Sequence, residues 1–187
     1  NKNLTITGPG KDVLTLQSNS NDLFTIDDPE AGTESGLDFD LSAVTLLGQD
    51  ADGEYKQIIR HQGDHGGKIT LDDIRVHDDT KSSALANVNA EDGELFISLI
   101  NSQIVGADCA SEECPEENML QIDSLIHADS TNGEINVVIE KTQVSNAEIH
   151  YIAAADGNKS QINIRNVDIE NIQSQGKSLF ESFSKQD

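Results

Sequence analysis

Apolar and polar positions along the chain follow one phrase that recurs five times. With h for an apolar residue, the phrase is h-x-h-x-x-h-x-h. Phe39, Leu41, Val44 and Leu46 form one copy, and Ile69, Leu71, Ile74 and Val76 a second. Ile97, Leu99, Ser102 and Ile104 form a third, with Ser in the third slot. Val137, Ile139, Thr142 and Val144 form a fourth, with Thr there, and Ile162, Ile164, Val167 and Ile169 a fifth. Alternation within each half is strand periodicity, because successive side chains of a strand point to opposite faces. The two-residue gap interrupts that alternation as a bend between two short strands would. Helices would need apolar residues at i+3 and i+4 repeatedly, and these copies do not supply them.

Two residues after each copy stand Gly48, Asp78, Gly106, Asn146 and Asn171. Gly, Asn and Asp enter the left-handed backbone region at least cost, so this phase predicts a repeated left-handed corner. A looser third apolar stretch follows each corner: Ile58-Ile59, Leu85 to Val88, Leu120 to Ile126, Ile149 to Ile152, and Leu179-Phe180. Turn chemistry such as Asp92-Gly93, Asn132-Gly133 and Asp156-Gly157 then closes the unit. Copies start 30, 28, 40 and 25 residues apart, counted from Phe39 through Ile69, Ile97 and Val137 to Ile162. That spacing suits a solenoid, whose repeats run roughly 20–45 residues. In the longest interval Leu120, Ile122 and Leu125 half-match the phrase, which leaves room for an extra irregular coil. The expected fold is all-β: a right-handed parallel β-helix of about six coils with variable loops. Residues 1–187 are read as a single such domain, a fragment of a longer chain.

Composition agrees. Aromatic residues make up only 4% of the chain, Trp is absent and Pro occurs three times. The core must therefore come from Ile, Leu and Val, with Asn, Asp and Gly between, which suits stacked β structure.

The opening Leu4-Thr-Ile-Thr-Gly-Pro-Gly-Lys-Asp-Val-Leu-Thr-Leu16, with Leu23-Phe-Thr-Ile26 after it, resembles the first coil of bacterial secreted right-handed β-helix proteins of the polymorphic outer-membrane-protein and adhesin-like class. The specific likeness covers about the first 26 residues. Gly36-Leu37-Asp38-Phe39-Asp40 is similar in shape to the family's next strand but more acidic. The resemblance implies a β-helix exported to the cell surface or medium, with the periplasm as a further location. It carries over no catalytic residue.

Charge narrows the partners. Thirty-four acidic side chains against 12 basic ones give a net charge of −22. Such a surface repels phosphate backbones and anionic lipids, so nucleic acid is not expected as a partner. No apolar run is long enough for a transmembrane helix, so membrane insertion is not expected either. A polysaccharide or cell-surface component is the expected partner. Cys109 and Cys114 lie in Cys-Ala-Ser-Glu-Glu-Cys-Pro, without the further ligands of a zinc site or the Cys-x-x-Cys redox spacing. A local disulfide in an oxidising compartment is the preferred reading, two surface thiols the other.

Candidate chemistry is sparse. Asp50-Ala-Asp52-Gly53-Glu54 is half of a calcium loop, with carboxylates at alternate positions and then a turning Gly. Asp50 and Asp52 are thus weak calcium candidates, and a plain Asp-rich turn is the other reading. Calcium is the one cofactor this pattern suggests. Paired carboxylates at Asp27-Asp28, Asp38-x-Asp40, Asp72-Asp73 and Asp78-Asp79 could supply acid and base to a glycosidic bond. The Asp72-Asp73 pair lies near Asp64-His65-Gly66-Gly67, which loosely resembles elements of polygalacturonases in the wrong order, and a solvated acidic face is the simpler reading. A lyase would need a basic proton abstractor. Arg60, Arg75 and Arg165 are the only arginines, and Arg75 and Arg165 are expected to point outward from one sheet, where salt bridges to acids such as Asp168 are the simpler use. His61, His65, His77, His127 and His150 are scattered over separate coils, which argues against zinc. The favoured function is a non-enzymatic binding or stalk module; the alternative is a carbohydrate-active enzyme of β-helix type.

Overall fold

The computed structural model describes residues 3–18, 22–27, 36, 38–48, 57–107, 120–174, 176 and 178–184. Fifteen strands and no helix are found among them. In chain order they are β1 (Asn3–Thr7), β2 (Thr15–Ser18), β3 (Phe24–Asp27), β4 (Asp38–Ser42), β5 (Thr45–Gly48), β6 (Gln57–Asp72), β7 (Arg75–Val76) and β8 (Lys81–Ile100). Then come β9 (Gln103–Val105), β10 (Leu120–Ser130), β11 (Glu134–Glu140), β12 (Gln143–Gly157), β13 (Lys159–Arg165), β14 (Asp168–Gln173) and β15 (Phe180–Ser184). All belong to one parallel sheet that curls on itself, an arrangement compatible with a β-helix.

The repeated phrase sets the register. Leu4, Phe39, Ile69, Ile97, Val137 and Ile162 are paired one to the next. So are Ile6, Leu41, Leu71, Leu99, Ile139 and Ile164, two residues further on. A second leg stacks Leu16, Leu46, Val76, Ile104, Val144 and Ile169. A third stacks Phe24, Ile59, Ala86, Ile126, Ala153 and Phe180. Each of these columns puts apolar on apolar, so an inner side chain between the end strands packs against apolar neighbours above and below. Phe39, Leu41, Leu46, Leu71, Ile97, Leu99 and Val137 are fully buried. A one-residue slip would turn this whole set outward, and that penalty is what fixes the pairing.

The two-residue gap is the sharp bend of each unit. Ala43, Asp73, Asn101, Lys141 and Asn166, the second gap residue in every copy, have φ of 56°, 51°, 52°, 51° and 53°. Their amides continue the ladder: Ala43 N donates to Asp72 O at 3.2 Å, and Asp73 N to Ile100 O at 3.0 Å. Asn101 N donates to Glu140 O and Lys141 N to Arg165 O, both at 3.0 Å. A left-handed residue turns the chain between legs without costing a hydrogen bond.

The expected left-handed column after each copy is corrected at three of its five positions. Asn146 (φ 52°) and Asn171 (φ 50°) are left-handed, whereas Gly48, Asp78 and Gly106 are not among the residues with positive φ. Gly106 is small for reasons of space, since an added Cβ would overlap the Asn146 carbonyl oxygen. At Gly48 a Cβ would press to 3.2 Å from Ile58 Cγ1. Asp78 sits in a turn in which Thr80 N donates to His77 O at 3.0 Å.

Polar residues in apolar slots are satisfied locally. Buried Ser102 donates from Oγ to Ile100 O at 2.7 Å and accepts from Ile74 N at 3.3 Å. Buried Thr142 donates to Glu140 O at 3.0 Å. Leu120, Ile122 and Leu125 lie on β10, which pairs with β8 and β12 as the third leg of its unit rather than as an extra coil. The closing glycines also stack: a Cβ on Gly36 would overlap the Gly66 carbonyl oxygen, on Gly66 that of Glu94, and on Gly133 that of Gly93.

Candidate functional surface

With the inner faces committed to the core, chemistry falls to the outward rows. The register gathers three polar groups there.

On the third leg, Lys81, Gln121, Glu148 and Gln173 form one outward row; Lys81 pairs with Gln121 and Gln121 with Glu148. His150, two residues along from Glu148, brings Nδ1 to 3.4 Å from Asp123 Oδ1 and Nε2 to 3.9 Å from Glu148 Oε1. Gln121 Nε2 donates to Glu148 Oε2 at 3.4 Å. Asp123 is exposed, whereas Glu148 and His150 are half-buried. Two carboxylates flanking an imidazole can accept and donate protons or grip sugar hydroxyls.

Further along the same leg a groove of about 350 Å³ is lined by Gln62, Gly63, Asp64, Asn89, Ala90, Glu91, Asp129 and Thr131. Gln62 pairs with Asn89, Asn89 with Asp129, and Asp129 with Asp156, so amides and carboxylates share one row. Asn89 Nδ2 donates to Asn87 Oδ1 at 3.2 Å, which fixes that amide in place. Such a row offers donors and acceptors at the inter-strand repeat of about 4.8 Å.

The third group is the turn after β7. His77 Nδ1 lies 2.8 Å from Asp78 Oδ1 and 3.7 Å from Asp79 Oδ2, and accepts from Asp79 N at 3.2 Å. The three side chains are close enough to share one cation. They are, however, consecutive residues of one exposed turn, with no ligand converging from another unit.

The candidates read from the sequence are dispersed. Asp50 and Asp52, like Cys109 and Cys114, lie outside the described residues. Asp72 accepts from Asn101 Nδ2 at 2.8 Å, and Asp73, the left-handed bend residue, pairs with Lys11 Nζ at 2.7 Å. Asp64 and His65 lie at the opposite end of that straight segment, beside the glycine corner, so the Asp pair and the His do not form one site. Arg75 and Arg165 fall on different legs, which corrects the shared face expected for them. Arg75 follows the bend on β7, pairs with Thr45 and Gln103 and reaches Asp12 at 3.5 Å. Arg165 precedes the bend on β13 and pairs with Glu140. Arg60 lies on the third leg, 3.6 Å from Asp22.

Of the histidines, His61 belongs to the core. It is 3% exposed, its Nδ1 lies 3.0 Å from Ile26 O, and its Nε2 has no hydrogen-bond partner. The alternation Ile59-x-His61 already carried the inward phase. The Asp123, His150 and Glu148 group was not visible in the sequence, because Asp123 and His150 are 27 residues apart and meet only once the register is known.

No family model matches the chain, and no curated protein or solved structure matches it either. Among the described residues no helix is long and apolar enough to cross a membrane.

Proposed function

We propose that the chain is a right-handed parallel β-helix of about six coils, serving as an exported or cell-surface module that presents polar faces to a polysaccharide or cell-envelope component. The resemblance of residues 4–26 to secreted adhesin-like β-helix proteins supports export. The spread of charge carries the choice of a stalk or binding module over an enzyme. Lys11 with Asp73, Arg60 with Asp22, Arg75 with Asp12, Lys141 with Glu140 and Lys159 with Glu134 are pairs distributed over bends, turns and strands of several units, with Lys11–Asp73 and Asp12–Arg75 side by side. Lyases and hydrolases concentrate opposed acid and base groups at one cleft. A stalk spreads them, and solvated pairs of this kind add little stability but keep the surface soluble.

One observation favours the alternative of a carbohydrate-active enzyme: Asp123, His150 and Glu148 put two carboxylates around an imidazole on one face. A single experiment separates the two. The protein is titrated onto immobilised neutral and uronate polysaccharides, with and without calcium, while chain length and new ends are followed. Retention without shortening of the polymer is the expected result. Depolymerisation that disappears in His150→Ala would establish the enzyme, and no retention on any glycan or envelope fraction would contradict the binding role.

A further inference from the structure

We infer that the outer face of the first leg is a stacking platform for a neutral polysaccharide, with Phe96 as its floor. The inference rests on the glycan-binding reading above and gives it a place and a sugar class. Phe96 lies on β8, which at this point pairs with β6 on one side and β11 on the other. Leu95 and Ile97 face the core, so alternation turns Phe96 outward, and it is 37% exposed. Among the described residues the other exposed large apolar side chains are Leu4, Val13, Leu14, Ile164 and Phe183, all in the first or last unit. Phe96 alone stands in the middle of the stack.

Its surroundings suit a sugar. Ser98 and Ile100 follow Phe96 on the same face of β8, and Val138 of β11 pairs with Ser98. Ile100 and Val138 are half-buried, so they widen the apolar floor beyond one ring. In the row across the strands Phe96 pairs with Lys68 and Asn136, and Asn136 with Gln161. Lys68 is exposed and enters no ion pair among the described residues. Asn136 Nδ2 donates to Glu94 Oε1 at 2.8 Å, which fixes the amide and leaves its Oδ1 to accept. From Lys68 to Asn136 is two strand steps, about 10 Å, or the length of a disaccharide. A pyranose with equatorial hydroxyls carries C–H groups on its ring faces and hydroxyls at its rim. Laid along the row, it sets a ring face on Phe96 and its hydroxyls against Lys68, Asn136 and Gln161.

Charge and area select the occupant. The net charge of −22 repels a uronan, whose carboxylates would also meet Asp38, paired with Lys68, and Glu94, bonded to Asn136. A neutral chain meets no such repulsion. One exposed ring with two half-buried aliphatic side chains falls far short of the roughly 800 Å² per partner of a stable protein interface. It matches the face of one or two sugar rings.

Retention on immobilised neutral and uronate polysaccharides tests this, with Phe96→Ala, Phe96→Tyr and Phe183→Ala beside wild type. Wild type should be retained on neutral polymers. Phe96→Ala should weaken that retention about tenfold or more, as for an aromatic that anchors a contact. Phe96→Tyr keeps the ring, and Phe183→Ala removes an exposed ring elsewhere, so both should stay near the wild-type level. Nuclear magnetic resonance adds an arm that needs no variant to fold: a soluble neutral oligosaccharide should shift the Phe96 ring signals of wild type. Equal retention of Phe96→Ala and wild type, retention on uronans alone, or unshifted Phe96 signals with the oligosaccharide bound would each overturn the platform and leave the binding role standing. Failure of wild type to bind any glycan or envelope fraction would overturn both.

Discussion

Asn171 Nδ2 donates to Asn146 Oδ1 at 2.9 Å, and both residues hold left-handed backbones, with φ of 50° and 52°. The two amides form a rung of a ladder on the outer edge where the second leg passes into the third. Each Asn thus does two jobs: its backbone makes the corner, and its side chain ties that corner to the next unit.

Asn146→Val should therefore cost the left-handed penalty of about 1–2 kcal/mol for a residue with a Cβ, plus about 0.5–1.5 kcal/mol for the lost side-chain hydrogen bond. Asn146→Gly keeps the backbone and should lose mainly the second part. Urea denaturation of both variants checks this. Equal losses would mean that the corner conformation contributes nothing.

The glycine column should be far less forgiving. A methyl at Gly133 would overlap the Gly93 carbonyl oxygen, which is rigid backbone in a neighbouring unit. Gly133→Ala is expected to cost several kcal/mol, about the scale of severe overpacking, and to yield little folded protein. A Cβ added at Gly176 would meet nothing within 4 Å among the described residues although φ there is +79°, so Gly176→Ala should cost only about 1–2 kcal/mol from the backbone. Thermal melts of the pair give the comparison, and similar midpoints would contradict the stacked arrangement.

Ser102 is the buried hydroxyl most firmly built into a bend. Ser102→Ala removes the acceptor for Ile74 N and should cost about 1–3 kcal/mol, the penalty for an unsatisfied buried donor. Hydrogen exchange at the Ile74 amide should quicken in step. A variant as stable as wild type, with unchanged exchange, would show that the hydroxyl is incidental.

Stability can also be gained. Lys141 is a long-chain residue at φ 51°, while Asn101 and Asn166 occupy the same place in neighbouring copies. Lys141→Asn should stabilise the protein by about 0.5–1 kcal/mol, since Asn tolerates the left-handed region better and the Lys141–Glu140 contact it loses is an exposed pair. A lower denaturation midpoint would contradict this reading of the bend.

The repeat phrase was legible because burial enforces it: Phe39, Ile69, Ile97, Val137 and Ile162 are apolar for the same reason that they are stacked. The corner column was only half legible. Composition cannot distinguish a glycine needed for its backbone angle from one needed for space, and Gly106 proved to be the second kind. Left-handed residues in the bend escaped notice because Ala43 and Lys141 are not the types that advertise such a conformation. The surface was the least legible part. Grouping Asp123 with His150 depends on which strands lie side by side, a relationship that alternation along one strand does not encode.

The central claim is an in-register parallel stack, and a distance across it is the most direct test. Thr7, Ser42, Asp72, Ile100, Glu140 and Arg165 form one outward column, five strand steps from first to last. At about 4.8 Å per step the backbones of Thr7 and Arg165 should lie about 24 Å apart. Spin labels at Thr7→Cys and Arg165→Cys, with Cys109 and Cys114 replaced by Ser, measure that separation by pulsed electron resonance. A narrow distribution centred near that value, broadened only by the label arms, is the predicted result. A broad distribution, or one centred well beyond it, would contradict the stack.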